Sequence, residues 1–303
     1  MTARPCLRLI LITLGTLILI VTGGTAAARS THDSVTPTSV QTKSTPEDCT
    51  PSAHFNAKNF PHHPRVDNKW FPLVPGTEFV VDGSVVDGTV THLHRIVTTV
   101  TDLTKMINGV RTVVVFDRDF DDGELQESEL AFMAQDIAGR VWNMGEYPEE
   151  YADGRLIGAP STWISGIAQA RAGVGMQAAP KVGTAAYLQA VAPKVDFRDC
   201  AQVVQTAQRV CVPVRCFDKV LVIDEWAPLD PEGGHQLKYY APRVGNIKIG
   251  AVGGDTPEVL ELTQWQTLSG KDLATVHKQA LAQDHRGYQV SPKVYGRTQP
   301  AQR

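Results

Sequence analysis

The sequence predicts a mainly β protein, an antiparallel meander curled into a barrel or half-barrel with one amphipathic helix near its C-terminus. Three observations carry that expectation. Segments dense in β-branched residues alternate in polarity with a period of two, as in 89–103, where Val90, His92, His94, Ile96 and Val100 share one face. Turn dipeptides such as Asn108-Gly109 and Asp122-Gly123 separate these segments. One stretch alone, after Ser269, has convincing helical spacing. Composition agrees with a globular chain: of 303 residues, 42% are hydrophobic and 20% charged, and the formal net charge is −3. Disordered, collagen-like and coiled-coil classes are excluded. The absence of a Lys/Arg cluster speaks against a nucleic-acid partner.

Taken in chain order, residues 1–28 read as a signal peptide. Arg4 and Arg8 precede an apolar run over 9–22, and Ala26-Ala27-Ala28 supplies small residues for cleavage. The run is shorter than the roughly 20 residues a membrane span needs, so membrane association requires the segment to be retained as an anchor. Cys6 lies ahead of the apolar run, where no lipobox cysteine belongs. The expected location is therefore secreted or extracytoplasmic. Residues 29–50, rich in Ser, Thr and Pro, read as a flexible leader.

Residues 51–267 form the expected β domain. Eleven strands are predicted at 77–81, 89–103, 110–120, 125–136, 140–144, 183–191, 201–212, 217–226, 236–241, 246–251 and 259–265. So many short-turn strands tend to curl, and closure into a calycin-like barrel removes exposed edges. The Gly/Ala-rich stretch 157–179 has no clear period and reads as a long lid or binding loop. The helix is placed at 268–284, capped by Ser269 with Asp272 three residues on. Its apolar stripe is Leu273, Val276, Ala280 and Leu281, packed over the barrel or plugging one end. The tail 285–303 reads as disordered.

Outside the signal segment there are four cysteines, Cys49, Cys200, Cys211 and Cys216, which admit three pairings. The turn Val212-Pro213-Val214-Arg215 favours Cys211–Cys216 across a hairpin, leaving Cys49–Cys200 to tie the N-terminal arm to the body. No CxxC occurs, and GxSxG, HExxH, P-loop and dinucleotide signatures are missing, so no cofactor is implied.

Two segments carry a resemblance: Asp67-Asn68-Lys69-Trp70-Phe71-Pro72-Leu73-Val74-Pro75-Gly76, and Lys238-Tyr239-Tyr240-Ala241-Pro242-Arg243-Val244-Gly245. Between them Ala134-Gln135-Asp136, Val141-Trp142, Gly145-Glu146 and Trp163 fall in the expected order. Over roughly 55–265 the chain resembles a broad family of exported, β-rich bacterial proteins common in actinomycetes and largely uncharacterised. The resemblance implies an antiparallel β fold and export. It implies no catalytic set, and many members are lipoproteins, a feature this chain lacks. Physically, the Trp-Phe-Pro segment is either a clasp closing one end of the sheet or a ligand-contacting rim.

Candidate chemistry is sparse. His92 and His94 share a strand face and point to a metal only if His235, Asp117 or Glu129 adds a third ligand. The run 117–124 departs from a calcium loop and reads as an acidic hairpin tip. His62-His63 reads as a solvated loop pair without a role. Asp117, Glu129, Glu225 and Tyr239 are the candidate pocket and acid–base groups. Glu127 and Glu129 share a face with Ala131 and Met133, and Glu225 with Leu221 and Ile223. Their structural alternative is an ion pair with Arg95, Arg111 or Lys238. Trp70, Phe71, Trp142, Trp163, Met176 and Tyr239 are the candidate ligand contacts.

The expected function is interior binding of an apolar or amphipathic small molecule. The alternatives are a cofactor-independent cyclase or isomerase acting on a polyketide-type chain in the same pocket, and an envelope interaction module. A solid interior favours the module, and a convergent pair such as Asp117 with Glu129 favours the enzyme.

Overall fold

The computed structural model describes residues 49–303. The expected signal peptide and nearly all of the expected leader lie outside the described residues. The first strands, β1 (Thr77–Asp87), β2 (Val90–Ile107), β3 (Val110–Asp121), β4 (Glu124–Gln135) and β5 (Val141–Ala152), form successive hairpins. After the short β6 (Arg155–Gly158) and β7 (Trp163–Ile164), the meander resumes with β8 (Arg171–Met176), β9 (Tyr187–Ala192) and β10 (Phe197–Val212). It continues through β11 (Arg215–Trp226), β12 (His235–Ala241), β13 (Gly245–Val252) and β14 (Glu258–Thr267). Apart from β6 and β7, which both pair with β5, each strand pairs antiparallel with its neighbour in sequence, β5 joins β8, and β1 pairs with β14. The result is a closed twelve-strand barrel with β6 and β7 attached to β5. Closure decides between the barrel and half-barrel expectations by satisfying both edges.

The hairpins form where the turn chemistry places them. Asn108-Gly109 and Asp122-Gly123 have φ of 49° and 80°, and 48° and 86°, the two positive dihedrals a tight two-residue turn requires. The stretch 157–179 is not a lid. It contributes β6 and β7, and β8 enters the barrel wall. Its glycines serve close approach: a Cβ on Gly173 would lie 2.6 Å from the Leu188 and Gln189 carbonyl oxygens of the adjoining strand.

The helix α1 (Gly270–Val290) starts where Ser269 accepts from the Asp272 amide, and runs six residues beyond the expected end at 284. It packs over the outer face of the barrel and plugs neither end. Its buried positions are Val276, His277, Ala280, Gln283, Asp284 and Gly287. The polar members of this face explain why the apolar stripe stopped short. Gln283 accepts from Ser128 Oγ at 2.7 Å, and Arg286 pairs with Glu149 through two contacts of 3.0 and 2.6 Å. Lys105, fully buried, reaches Asp284 Oδ1 at 2.7 Å, the Tyr288 hydroxyl at 2.9 Å and the Gln299 carbonyl at 2.7 Å.

The tail is likewise ordered, against expectation. Tyr295 is fully buried and donates to Asp284 at 2.6 Å, and Gln302 exchanges backbone hydrogen bonds with Thr104. Both expected disulfides form, Cys49–Cys200 and Cys211–Cys216. Cys49 and Thr50 thus belong to the body, Thr50 bridging to Tyr187.

Candidate functional site

Parity divides β3 and β4 between two environments. Val114, Phe116, Leu130 and Phe132 join the large core that includes Val276 and Ala280 of α1. The alternate residues, Val115, Asp117, Glu129, Ala131 and Met133, line a cavity of about 150 Å³ inside the barrel. Three of the four sequence-predicted acid–base residues meet there. Asp117 and Glu129 lie directly opposite each other in the β3–β4 register, and Glu225 enters from β11. Tyr239 does not join them. The next residue, Tyr240, lines the cavity, while Tyr239 packs beside the cluster around Val212, Phe217 and Val220. The pairing of Tyr240 with Leu221 and Lys238 with Ile223 puts even-numbered β12 residues on the inward face.

The cavity lining is amphipathic. Phe71, Leu73, Phe79, Val81 and Ile96 contribute apolar surface. Among the polar lining residues, Lys238 Nζ meets Glu225 Oε2 at 2.7 Å, and Gln189 and Tyr240 donate to Glu225 Oε1 at 3.0 and 3.4 Å. Beyond this ion pair lies a smaller and more polar cavity of about 60 Å³ that shares Gln189, Glu225 and Lys238 with the first and is lined further by Asp199, His235 and Glu258.

Burial sets the protonation of these groups. It raises the Asp117 carboxyl to about 6, against a hydrogen bond from Thr98 and the fields of Arg118 and Lys238. Burial raises Glu129 well above the ordinary carboxylate range, and Glu146, Glu127 and Asp117 push it further. Asp199 rises to about 8 by desolvation, which Lys238 opposes. Lys238 is pulled down by burial but carried above its ordinary value by Glu225, Asp199 and Glu258. The site therefore offers neutral carboxylic acids beside a fixed ion pair. Asp117 Oδ1 and Glu129 Oε2 accept no hydrogen bond from the protein.

Of the predicted ligand contacts, Phe71 alone lines the cavity. Trp70 carries Lys69 over its ring, 4.4 Å from the centroid. Trp142 donates to Asp136 at 2.9 Å and packs edge-on against Phe55 and Phe60. Trp163 donates to Glu146 at 2.9 Å and stacks on Phe197. Met176 is buried in the large core. These large side chains were placed by their type, whereas only their distant partners decide whether they face a cavity or a packed layer.

The two resembling segments meet across one barrel end. Gln135 accepts from the Asp67 and Asn68 amides, Asn68 Nδ2 donates to the Gly139 and Gln177 carbonyls, and the Arg243 amide donates to Lys69 at 2.6 Å. The segment is thus a clasp, and its Phe71 and Leu73 are also the apolar cavity wall.

The histidines do not converge. His92 pairs with Asp122 at the hairpin tip, 2.8 Å, and His235 pairs with Asp224 and stacks on Trp226. His94 is buried among Asp119, Asp121 and Glu258, a set in which Asp117 and Glu129 take no part. Sequence reasoning missed Lys238 and Tyr240 as cavity residues, although their alternation with Tyr239 was a usable signal.

No family model matches the chain, and no curated protein matches it. Two solved structures are similar. A presumed exported protein with a YmcC-like fold from Bacteroides fragilis NCTC 9343 is 14% identical over 66% of this chain and 99% of that one, with a TM-score of 0.35. A presumed lipoprotein from Parabacteroides distasonis ATCC 8503 is 12% identical over 73% and 100%, with a TM-score of 0.30.

Proposed function

We propose that this barrel acts outside the cytoplasm and binds a small amphipathic molecule in its interior. The observation that carries the reading is the cavity itself, lined by apolar side chains such as Phe71 and by two readily protonated carboxyls, Asp117 and Glu129, each with one oxygen that accepts no hydrogen bond. A dry apolar cavity of about 150 Å³ accommodates a benzene-sized ring, while sites for drug-sized ligands run from about 300 Å³. The favoured ligand is therefore a single ring or short chain with one polar group, smaller than a polyketide. Two disulfides support an oxidising compartment, and a hollow interior favours binding over a purely structural envelope module.

The test is calorimetric titration of the mature protein with p-cresol, alongside native mass spectrometry of protein from its own host. Saturable one-to-one binding, lost in Ala131→Phe, is the expected result, since a phenyl ring at 131 fills the cavity. Absence of both cresol binding and any co-purifying mass overturns the reading.

Catalysis is a second reading, favoured by the direct opposition of Asp117 and Glu129. A carboxyl titrating near 6 is suited to proton transfer at neutral pH. It predicts two related co-purifying masses from the wild type and one from Asp117→Asn. A single mass from both proteins leaves binding alone.

A further inference from the structure

Beside the cavity, a second cluster of buried ionisable groups lies where β1–β3 meet the start of β14. His94, paired with Asp121 in the β2–β3 register, has no solvent-exposed side-chain surface. Its Nδ1 lies 2.8 Å from Asp121 Oδ1 and 3.3 Å from Asp119 Oδ1. Its Nε2 lies 3.0 Å from Glu258 Oε1. One nitrogen and two carboxylate oxygens of His94, Asp119 and Asp121 fall within 4.8 Å of one another. Asp119 supplies an independent observation: it is 2% exposed, and neither of its carboxylate oxygens accepts a hydrogen bond. A carboxylate desolvated without donors is costly, and an ion beside Nδ1 would satisfy it.

We propose that His94 Nδ1, Asp119 and Asp121 form a binding site for one divalent transition-metal ion, with zinc preferred. At metal–ligand distances near 2.0–2.1 Å, tetrahedral ligands stand about 3.4 Å apart, close to the 3.3 Å between Nδ1 and Asp119. Two aspartates balance the charge of a divalent ion. Glu258 Oε1, 3.0 Å from Nε2, stands on the far side of the ring, where the carboxylate of a carboxylate–histidine–metal arrangement orients a ligating imidazole. An imidazole with two carboxylates suits zinc better than calcium or magnesium, which favour all-oxygen shells. Alternation puts Asp119 and Asp121 on the same inward face of β3 as Asp117, and the partial exposure of Asp121, 13% of its side chain, opens an entry path.

The experiment is titration of chelator-treated mature protein with Zn²⁺ by calorimetry and with Co²⁺ by visible absorption, with Mg²⁺ as control. One equivalent bound, a tetrahedral Co²⁺ spectrum and a Zn²⁺-dependent rise in Tm that Mg²⁺ does not produce are expected. Asp121→Asn, the substitution at the most exposed ligand, is expected to abolish the Co²⁺ spectrum with the far-UV circular dichroism retained. Glu258→Gln is expected to weaken Zn²⁺ by 10- to 100-fold, and His92→Ala to leave it unchanged. No binding by the wild type, or undiminished binding by Asp121→Asn, overturns the proposal. Because the wild-type readouts need no variant, failure of a variant to fold does not rescue it.

Discussion

Glu129 is 3% exposed, faces three other carboxyls and has one oxygen with no donor, so folding favours its neutral form. A carboxyl whose folded pKa is raised contributes stability that is fully present below its unfolded value near 4.5 and is lost as pH rises through the folded value. Glu129→Gln is therefore expected to gain on the wild type as pH goes from 5 to 8, in urea unfolding measured at several pH values. A constant difference between the two proteins across that range would contradict the assignment. The window for Asp199 is bounded by its folded value of about 8. Glu225 is held by Lys238, Gln189 and Tyr240. Glu225→Leu leaves Lys238 charged and buried, at an expected loss of about 3–5 kcal/mol, while the double variant Glu225→Leu/Lys238→Met recovers most of it. Denaturant midpoints of the two variants give the comparison.

Among the elements, α1 is the one whose extent depends most on its surroundings. An isolated amphipathic reading ends it at 284, yet the helix continues because Arg286 meets Glu149 and Gly287 seats the Tyr295 ring. Ordinarily Gly→Ala inside a helix stabilises by roughly 0.5–1 kcal/mol. Here a Cβ at 287 would lie 2.5 Å from Tyr295 Cδ1 and 3.1 Å from Tyr147 Cζ. Gly287→Ala is thus expected to destabilise by about 1–3 kcal/mol, the usual cost of overpacking. Thermal unfolding decides the sign, and a higher Tm would refute the packing account. The same contact orders the tail, since Tyr295, Ala301 and Lys105 converge on Asp284.

For the molecule as a whole, closure matters most, and its seams are uneven. The β13–β14 pairing comprises two residue pairs, Lys248 with Glu261 and Ile249 with Leu260, whereas β2 and β3 pair along most of their length. The Cys49–Cys200 bridge spans 151 residues and fastens the N-terminal arm to β10. Replacing both cysteines by Ser is expected to cost about 2–5 kcal/mol, and more than the same change at Cys211–Cys216, whose loop is far shorter. Equal losses in denaturant unfolding would show that chain entropy is not the cause.

Alternation, turn dipeptides, the Ser269 cap and the cysteine spacing were enough to establish an antiparallel meander, most strand positions and both disulfides. All but the Cys49–Cys200 bridge, which was the pair left over once Cys211 was matched with Cys216 across its hairpin, are local patterns that a single segment displays by itself. The inward parity of Glu129 and Glu225 was legible for the same reason. Tyr239, Trp142, Trp163 and Met176 were misplaced as pocket residues because a large side chain looks alike whether it faces a cavity, a clasp or a helix. The tertiary structure alone decided the β1–β14 closure, the ordered tail, the Glu225–Lys238 pair and the gathering of His94, Asp119, Asp121 and Glu258. Each depends on segments brought together from far apart in the chain, where burial and pairing, and no local preference, determine what a residue does.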